Sequence, residues 1–346
     1  MNKIVLTADL HLQMWNDTYV DDNGIPLRLA EIVNSVKEIC NYAKSNNINK
    51  VGILGDINDL KDIAHTRAFV YFIKNVIEVY TDIHFYILHG NHDSSSFISR
   101  ESSIDLFSGT NVTIISSPQV INNIAWVPHS KSILDDINSL IKDSKDIKIL
   151  FSHFGLNEGT LSSGISIKTN ISAKHLKNFK VVVLGHYHKP QSINNVHYVG
   201  SPIQLRKDEA GEEKRFLVLD LDTYELESKP LNNFRKYKQI AIKSKDELDD
   251  KIEEALKLKE NRDYVSLSIE YKAESTEINN IRESAENIVV NFDTSPETKM
   301  LDIKSSMTMK EQMIKYMEMK QINEKDKDKF LATGLEIISN QNSLGD

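Results

Sequence analysis

The chain has 346 residues, of which 40% are hydrophobic and 27% charged, which is typical of a globular protein larger than one average domain. Its 42 basic and 50 acidic residues give a formal charge of -8, which argues against a protein that binds nucleic acid through its overall field. The sequence contains neither an apolar run near the ~18 residues of a membrane span nor a signal peptide. We therefore expect a cytoplasmic protein that makes no contact with a membrane.

Short apolar runs typical of β-strands recur from the N-terminus onward, and five of them are followed at once by side chains that bind metals. Because the carboxyl ends of parallel strands meet at one edge of a sheet, a single sheet could bring these side chains together. In chain order the motifs are Asp9-Leu10-His11, Gly55-Asp56-Ile57-Asn58-Asp59, Gly90-Asn91-His92-Asp93, Ser152-His153 and Gly185-His186-Tyr187-His188.

Helical stretches alternate with these runs. Helices are predicted over residues 26–44, 65–80 and 132–142, and the alternation is typical of an α/β layered fold. The later strands at 196–199 and 216–221 have no long helix between them, which indicates a second sheet paired by hairpins rather than crossovers. We predict a two-sheet sandwich flanked by helices.

The composition changes after this α/β region. Basic and aromatic residues mix over 229–245, and we place a domain boundary near Pro230. A basic run is usually a solvated face, but Arg235, Lys236 and Lys238 are candidate contacts for DNA phosphates. A helix at 245–258, a strand at 264–271 and a helix at 278–289 then predict a small α+β domain.

The last segment is rich in methionine. Met309, Met313 and Met317 recur at helical spacing, and a further helix contains Phe330 and Leu331. Such a stripe is by default core, but a terminal helix pair has little else to pack on, and methionine suits adaptable interfaces, so we favour partner binding. The predicted division is a first domain over 1–229, a cap over 230–299 and C-terminal helices over 300–346.

The five motifs together fit the hydrolysis of a phosphate ester by two metal ions. Asp9 and His11 can both reach one cation, Asp56 can bridge two cations with its two oxygens, and Asn91 offers a neutral oxygen to the second. Mixed nitrogen and oxygen ligation suits manganese, iron or zinc better than magnesium or calcium. Three histidines complete the donor set: His153, His186 and His188.

The order and spacing of these motifs resemble the calcineurin-like metallophosphoesterase superfamily. More narrowly, Gly185-His186-Tyr187-His188-Lys189-Pro190-Gln191 and Tyr198-Val199-Gly200-Ser201-Pro202 resemble SbcD-type nuclease subunits of double-strand-break repair complexes, including those of large bacteriophages. The motifs cover residues 1–222, and the remainder is similar only in layout. Gln13 departs from the glycine of many relatives, and the role of the loop 13–26 is open.

The resemblance implies a role for each site residue. His92 would act at the scissile phosphate as a proton donor or a charge stabiliser, and Asp59 and Asp93 would orient histidines. His65 matches a further active-site histidine loosely, and an exposed histidine at a helix start explains it almost as well. The other histidines, His129 among them, join no cluster and are predicted to be structural or surface residues. The implied ligands are Asp9, His11, Asp56 and His188 for one metal, and Asp56, Asn91, His153 and His186 for the other.

For function, the resemblance implies a manganese-dependent DNA nuclease, an exonuclease on duplex ends and an endonuclease on single strands, in a bacterium or phage-infected host. It would be a homodimer and the partner of an SMC-like ABC ATPase, active in recombination, repair and end processing, with the cap guiding DNA. A phosphatase or cyclic-nucleotide phosphodiesterase would use the same ligands but leaves the residues after Lys229 unexplained. A non-catalytic scaffold would be expected to have lost a ligand, and no ligand is lost.

Overall fold

The structure is a computed structural model of the chain, which separates into two compact units. One unit comprises 1–269 with 273–291, and the other comprises 270–272 with 292–346. The predicted boundaries near residues 230 and 300 stay predictions. The residues described are 2–17, 19–60, 65–93, 102–107, 109–142, 146–271, 273, 275–285 and 288–292, with Ile314, Met317, Lys327 and Leu331.

Strands make up most of the regular structure of the first unit. In chain order they are β1 (Lys3–Thr7), β2 (Lys50–Leu54), β3 (His84–Leu88), β4 (Val112–Ile115), β5 (Gln119–Ile121), β6 (Ile124–Val127), β7 (Ile149–His153), β8 (Val181–Gly185), β9 (Gln191–Ile193), β10 (Val196–Tyr198), β11 (Lys214–Asp220), β12 (Leu226–Leu231), β13 (Tyr237–Ile242), β14 (Tyr264–Ile269) and β15 (Val289–Phe292).

Helices connect many of these strands. The α-helices are α1 (Leu27–Ser45), α2 (Thr66–Phe72), α3 (Ile133–Lys142), α4 (Leu248–Glu260) and α5 (Ser275–Ser284). A π-helical turn follows α2, and short 3₁₀ helices lie at Ser103–Phe107, Ala173–Leu176, Lys207–Glu209 and Lys245–Glu247. None of the helices in the described ranges is long and apolar enough to cross a membrane.

Two six-stranded sheets face each other, so the predicted two-sheet sandwich is confirmed. The first sheet has the order β12-β11-β1-β2-β3-β4 and the second β5-β6-β7-β8-β10-β9. Strands β1 to β4 are parallel, as are β6, β7, β8 and β10. The carboxyl ends of the strands that precede the five motifs therefore lie at one edge of the sandwich.

Successive side chains of a strand point to opposite faces of its sheet, and this alternation separates the core between the sheets from the core beneath the helices. Leu6 of β1 and Phe151 of β7 pack between the sheets around the buried Trp126 of β6, whose ring lies 4.8 Å from that of Phe151. The neighbouring Val5 instead faces outward and packs with Leu29 of α1, as the two-residue period of a strand requires. Helix α1 buries an apolar stripe that includes the lone cysteine, Cys40.

The structure corrects several details of the sequence prediction. The five motifs follow strands of two sheets, not one. The prediction of a second sheet paired by hairpins rather than crossovers is wrong in part, because β10 pairs with β9 in a hairpin but runs parallel to β8. Strand β11 joins the first sheet, antiparallel to β1. The helix predicted over 65–80 is α2 followed by a π-helical turn at Ile73–Ile77. Pro230, near which a domain boundary is predicted, lies in β12 and pairs with Arg215, which an edge strand tolerates; the boundary itself stays a prediction.

The region after β12 forms a smaller three-stranded sheet in the order β13-β14-β15, in which β13 and β14 are parallel. Helix α4 connects these two strands. Helix α5 ends at Ser284, and the strand β15 replaces the end of the helix predicted over 278–289.

The second unit contains the methionine-rich segment. Ile314, Met317, Lys327 and Leu331 are helical, and Met317 is 4% exposed. Met309, Met313 and Phe330 lie outside the described residues. The partner-binding role of this segment therefore stays a prediction.

Candidate metal centre

The turns after β1 and β2 run side by side and position the first three donors. The N–H of Asp9 donates to the carbonyl of Gly55 at 3.0 Å, and the N–H of His11 donates to the carbonyl of Asp56 at 2.9 Å. The Asp9 carboxylate in turn accepts the N–H of His186 at 2.9 Å, which ties the first sheet to the second. Donors from both sheets are thus fixed by backbone contacts.

Four donor residues adopt a backbone conformation that side chains rarely take. The φ angles of Asp9, His11, Asp56 and His186 are 55°, 47°, 51° and 100°. Such positions cost on the order of 1–3 kcal/mol each and persist only where the surrounding structure enforces them. Their concentration at one edge of the sandwich is typical of a preorganised functional site.

Two glycines allow the donors to approach closely. A Cβ atom on Gly90 would collide with the carboxylate of Asp56, and one on Gly185 would collide with the carbonyl of Leu54. The glycines of the third and fifth motifs are therefore required by packing around the donors rather than by turn formation alone.

The first group of donors is Asp9, His11 and His188, whose ligand atoms lie within 4.8 Å of one another. The Nε2 atoms of His11 and His188 face each other at 3.0 Å. On the other side of each ring, Nδ1 of His188 is 2.9 Å from Oε1 of Glu209 and Nδ1 of His11 is 3.1 Å from Oδ1 of Asp59. With Nδ1 protonated toward a carboxylate, both Nε2 atoms present lone pairs to the same point. A cation fits between them.

The second group is arranged around Asn91. Its Oδ1 lies 2.9 Å from Nε2 of His153 and 2.9 Å from Nδ1 of His186. Oδ2 of Asp56 lies 3.3 Å from Nε2 of His153 and 3.8 Å from Nε2 of His11, so this carboxylate faces both groups. The structure thus brings all seven predicted ligands together, and the donor chemistry fits two divalent cations.

Buried charges dominate the electrostatics. Burial raises the pKa of Asp9. Burial opposes ionisation of Asp56 too, but the neighbouring His153 holds the pKa of Asp56 well below its usual range. Burial likewise disfavours a charge on His153, but the Asp56 carboxylate outweighs it and raises the pKa of His153 to about 9. The pKa of His186 falls to about 3, through burial and the charge on His153. The carboxylates thus favour a positive charge at their centre.

The two carboxylates predicted to orient histidines, Asp59 and Asp93, make different contacts. Asp59 lies against His11, as predicted. Asp93 instead accepts backbone N–H groups, those of Asp56 and Gly90 at 2.8 and 2.7 Å and that of Asn58 at 2.9 Å. Burial and the Asp56 charge raise the pKa of Asp93 to about 6. Among the described contacts, Asp93 holds the turns that carry the ligands rather than a histidine ring.

His92 lies at the entrance to the donors. Its N–H donates to Oδ1 of Asp56 at 2.9 Å, its Nδ1 is hydrogen-bonded to the carbonyl of Asp59, and its ring centroid is 5.0 Å from that of His11. Together with most of the ligands it lines a cavity of about 270 Å³. His65 precedes α2, and its Nε2 is buried without a hydrogen-bond partner in the described residues. Burial raises the pKa of Asp59, but the contact with His11 outweighs it and lowers that pKa.

The sequence interpretation missed Glu209. This residue is 1% exposed, accepts from Nδ1 of His188, and lies 2.6 Å from Nζ of the fully buried Lys214. Burial raises its pKa, but the hydrogen bond from His188 and the charge of Lys214 together lower it to about 2. No spacing rule marks a glutamate in a short 3₁₀ turn, so the sequence contains no clear signal for it.

The expectation that His129 is structural is incomplete, because the residue contacts the ligands. Its Nδ1 lies 3.1 Å from the carbonyl of His153, and its ring lies parallel to that of His186 with centroids 6.4 Å apart. The residue follows β6, next to β7 in the second sheet. Its place at a strand end was the available signal.

The candidate DNA contacts differ from expectation. Arg235 is 7% exposed, and its guanidinium binds Asp17 and Glu31 at 2.7 Å each. It is therefore not available to a DNA phosphate, because both neighbours are carboxylates. Lys236 and Lys238 are half-buried, and their role stays a prediction.

The fold and the donor set together define a metal-dependent phosphoesterase. Residues 2–190 match the calcineurin-like phosphoesterase family, and the chain belongs to that family. This result agrees with the resemblance found in the motifs.

Two curated relatives are nuclease subunits. Exonuclease subunit 1 of Enterobacteria phage T4 is 25% identical over 229 residues, which are 63% of this chain and 66% of the relative. The SbcD subunit of the SbcCD nuclease of Staphylococcus epidermidis is 28% identical over 138 residues, 38% of this chain and 36% of the relative. The match therefore spans just under two thirds of the first relative and about a third of the second.

A solved structure of a dimetal phosphatase from Danio rerio is also similar. It is 13% identical with a TM-score of 0.43, and the match covers 68% of this chain and 99% of that chain.

Proposed function

We propose that the chain is a DNA nuclease that uses two divalent cations, with Mn²⁺ the preferred ion, as an exonuclease on duplex ends and an endonuclease on single strands. The observation that carries the proposal is the clustering of Asp9, Asp56, Asn91 and four histidine rings at one edge of the sandwich, where five of the seven line one cavity. The two nuclease subunits among the relatives support DNA as the substrate.

Each group has a role in this proposal. Two divalent cations, when bound, would acidify a water nucleophile and neutralise charge on the phosphate. Asp9, His11 and His188 would hold one ion and Asn91, His153 and His186 the other, with Asp56 shared between them.

His92 would bind the phosphate. Its backbone is fixed by Asp56 and its Nδ1 by the Asp59 carbonyl, so the ring is held and Nε2 is the atom left to face substrate. A protonated ring could donate to a phosphate oxygen or to the leaving oxygen. His65, whose Nε2 is buried without a hydrogen-bond partner in the described residues, is proposed as a weaker contributor.

The remaining assignments concern the assembly. We propose a homodimer that works with an SMC-like ABC ATPase in recombination, repair and end processing. Residues 230–299 would guide DNA as a cap, and the helices of 300–346 would bind the ATPase through the methionine-rich segment. The two nuclease relatives are named as subunits, which supports a partner.

The test is cleavage of end-labelled duplex and single-stranded DNA by the full chain with Mn²⁺, Mg²⁺ or chelator. His92→Ala should lower cleavage by about 10²–10⁴-fold, the usual value of a lost general acid, yet leave Mn²⁺ binding intact. Asp56→Ala should lose both cleavage and Mn²⁺ binding. His175→Ala, which removes an exposed histidine from outside the cavity, is the matched control.

The outcomes separate the metal centre from the substrate. Hydrolysis of small phosphate esters without DNA cleavage, even after an ATPase partner is added, would leave a phosphatase or cyclic-nucleotide phosphodiesterase. Full cleavage by His92→Ala would show that this histidine does not act at the phosphate.

A further inference from the structure

A loop after β7 exposes two isoleucines beside the metal centre. Ile165 is 63% exposed and Ile167 is 44% exposed. Ile167 lines the same cavity as His92 and the metal-binding side chains. A single exposed isoleucine needs no explanation, but two on one loop, one of which lines a polar cavity, indicate a contact surface.

Hydrogen bonds from the side chain of Gln191 hold the start of this loop in place. The side chain of Gln191, in β9, accepts the N–H of Thr160 at 2.9 Å and donates to its carbonyl at 2.8 Å. In the next residue along the chain, the N–H of Leu161 donates to the carbonyl of Ile165 at 2.9 Å, and this hydrogen bond closes a tight turn. The two isoleucines are therefore presented by a loop with an ordered base, and a ligand need not create the surface.

The position of the surface defines its ligand. A phosphodiester held at the metal centre keeps the nucleotides on either side of it within reach of the cavity that Ile167 lines. Isoleucine is one of the apolar residues that DNA-binding proteins insert between bases. Phosphate contacts cannot distinguish a stacked base from an unstacked one, but an apolar side chain against the base can.

We propose that Ile165 and Ile167 bind the nucleobase next to the scissile phosphate and hold it unstacked. This inference rests on the proposed nuclease function and adds a determinant of specificity, a preference for single strands and frayed ends. The surface serves the substrate of the metal centre because Ile167 lines one cavity with five of the seven predicted ligands.

The experiment compares the Mn²⁺-loaded full chain with the double variant Ile165→Ser/Ile167→Ser. The substrates are a short oligothymidylate, an oligonucleotide of equal length without bases, and methyl p-nitrophenyl phosphate. We expect kcat/KM for the oligothymidylate to fall about tenfold, which equals about 1.4 kcal/mol. The values for the other two substrates should change less than about twofold, because neither has a base. Val79→Ser, at a 54% exposed valine that does not line the cavity, is the control.

Each other outcome overturns the proposal. If the variant cleaves oligothymidylate as well as the native chain does, the isoleucines do not bind the base and a protein partner is the better occupant. Equal losses on all three substrates would indicate that the loop supports the metal centre instead. A native chain that hydrolyses the small ester but neither oligonucleotide would overturn the nuclease assignment as well.

Discussion

Two buried polar clusters in this protein differ in how their charges are balanced. At the metal centre, the side chains of Asp9 and His153 are fully buried and those of Asp56 and His11 nearly so. The two carboxylates there face histidine rings, of which His153 has its pKa raised to about 9, rather than a lysine or an arginine. The cluster around Arg235 lies between the loop before α1 and the small sheet. It is also buried, but it contains its own cations.

The second cluster is satisfied internally. Arg235 pairs with Asp17 and Glu31, and Arg28 donates to the carbonyl of Leu205 at 2.6 Å with its guanidinium 4.3 Å from the ring centre of Tyr264. The contrast indicates that burial of charge does not by itself mark a functional site. A functional site is indicated where buried metal-binding atoms converge and their negative charge must be balanced by a bound ion.

The largest effect is expected from breaking the first cluster at the carboxylate shared by both groups. Asp56→Asn should reduce phosphodiester cleavage by at least about 10³-fold, a size known for loss of one preorganised electrostatic group. Mn²⁺ at 100 times its Kd should stabilise the native chain against urea by about 2.7 kcal/mol and the variant much less.

Asp222→Asn is the control for this experiment, because Asp222 is exposed and its carboxylate accepts from the side chain of Asn2, away from the ligands. An Asp56→Asn chain with native Mn²⁺ stabilisation would show that Asp56 is not a ligand.

The second cluster should respond in stability and not in metal binding. Arg235→Leu leaves the 2% exposed side chain of Asp17 and the part-buried Glu31 without their cation, and breaking a buried pair from one side costs about 3–5 kcal/mol. Urea unfolding measures this loss as a lower free energy of unfolding. The gain on adding Mn²⁺ should match that of the native chain, because the guanidinium of Arg235 binds these two carboxylates and not the seven ligands.

Lys257→Leu is the matched control for Arg235→Leu. Lys257 pairs with Glu253 at 2.6 Å, but these side chains are 69% and 67% exposed, so the change should stay within about 0.5 kcal/mol. Similar losses in both variants would contradict the contrast between buried and exposed pairs.

The metal centre was predictable from sequence because its ligands follow strands directly. A parallel strand fixes where its carboxyl end lies, so the motifs alone place Asp9, Asp56 and Asn91 at one edge. The same reasoning could not assign the strands to sheets, because both sheets of a sandwich share such an edge. It therefore predicted the cluster and the two-sheet fold but misplaced β11.

The second cluster was not predictable, since it depends on pairs far apart in the chain. Arg235 lies in a basic run, which suggested DNA binding, and nothing in the sequence connects it to Asp17 and Glu31, which lie 218 and 204 residues earlier. Glu209 was missed for a different reason. It lies only 21 residues after His188, but no motif marks it, and its carboxylate is fixed by the buried Lys214 at the start of β11.

The smallest of the three expected effects concerns Glu209, which contacts both a buried cation and a predicted metal ligand. Its carboxylate binds both the cation Lys214 and the predicted ligand His188. Glu209→Gln should weaken Mn²⁺ binding about 10–100-fold, as loss of a carboxylate behind a ligating histidine does, with activity recovering at high Mn²⁺.

Glu212→Gln is a close control, because Glu212 also lies 2.9 Å from Nζ of Lys214, whereas Nδ1 of His188 is bonded to Glu209. Calorimetric titration measures the affinity. If both variants lose it equally, the effect comes from the charge of Lys214 and not from the orientation of His188.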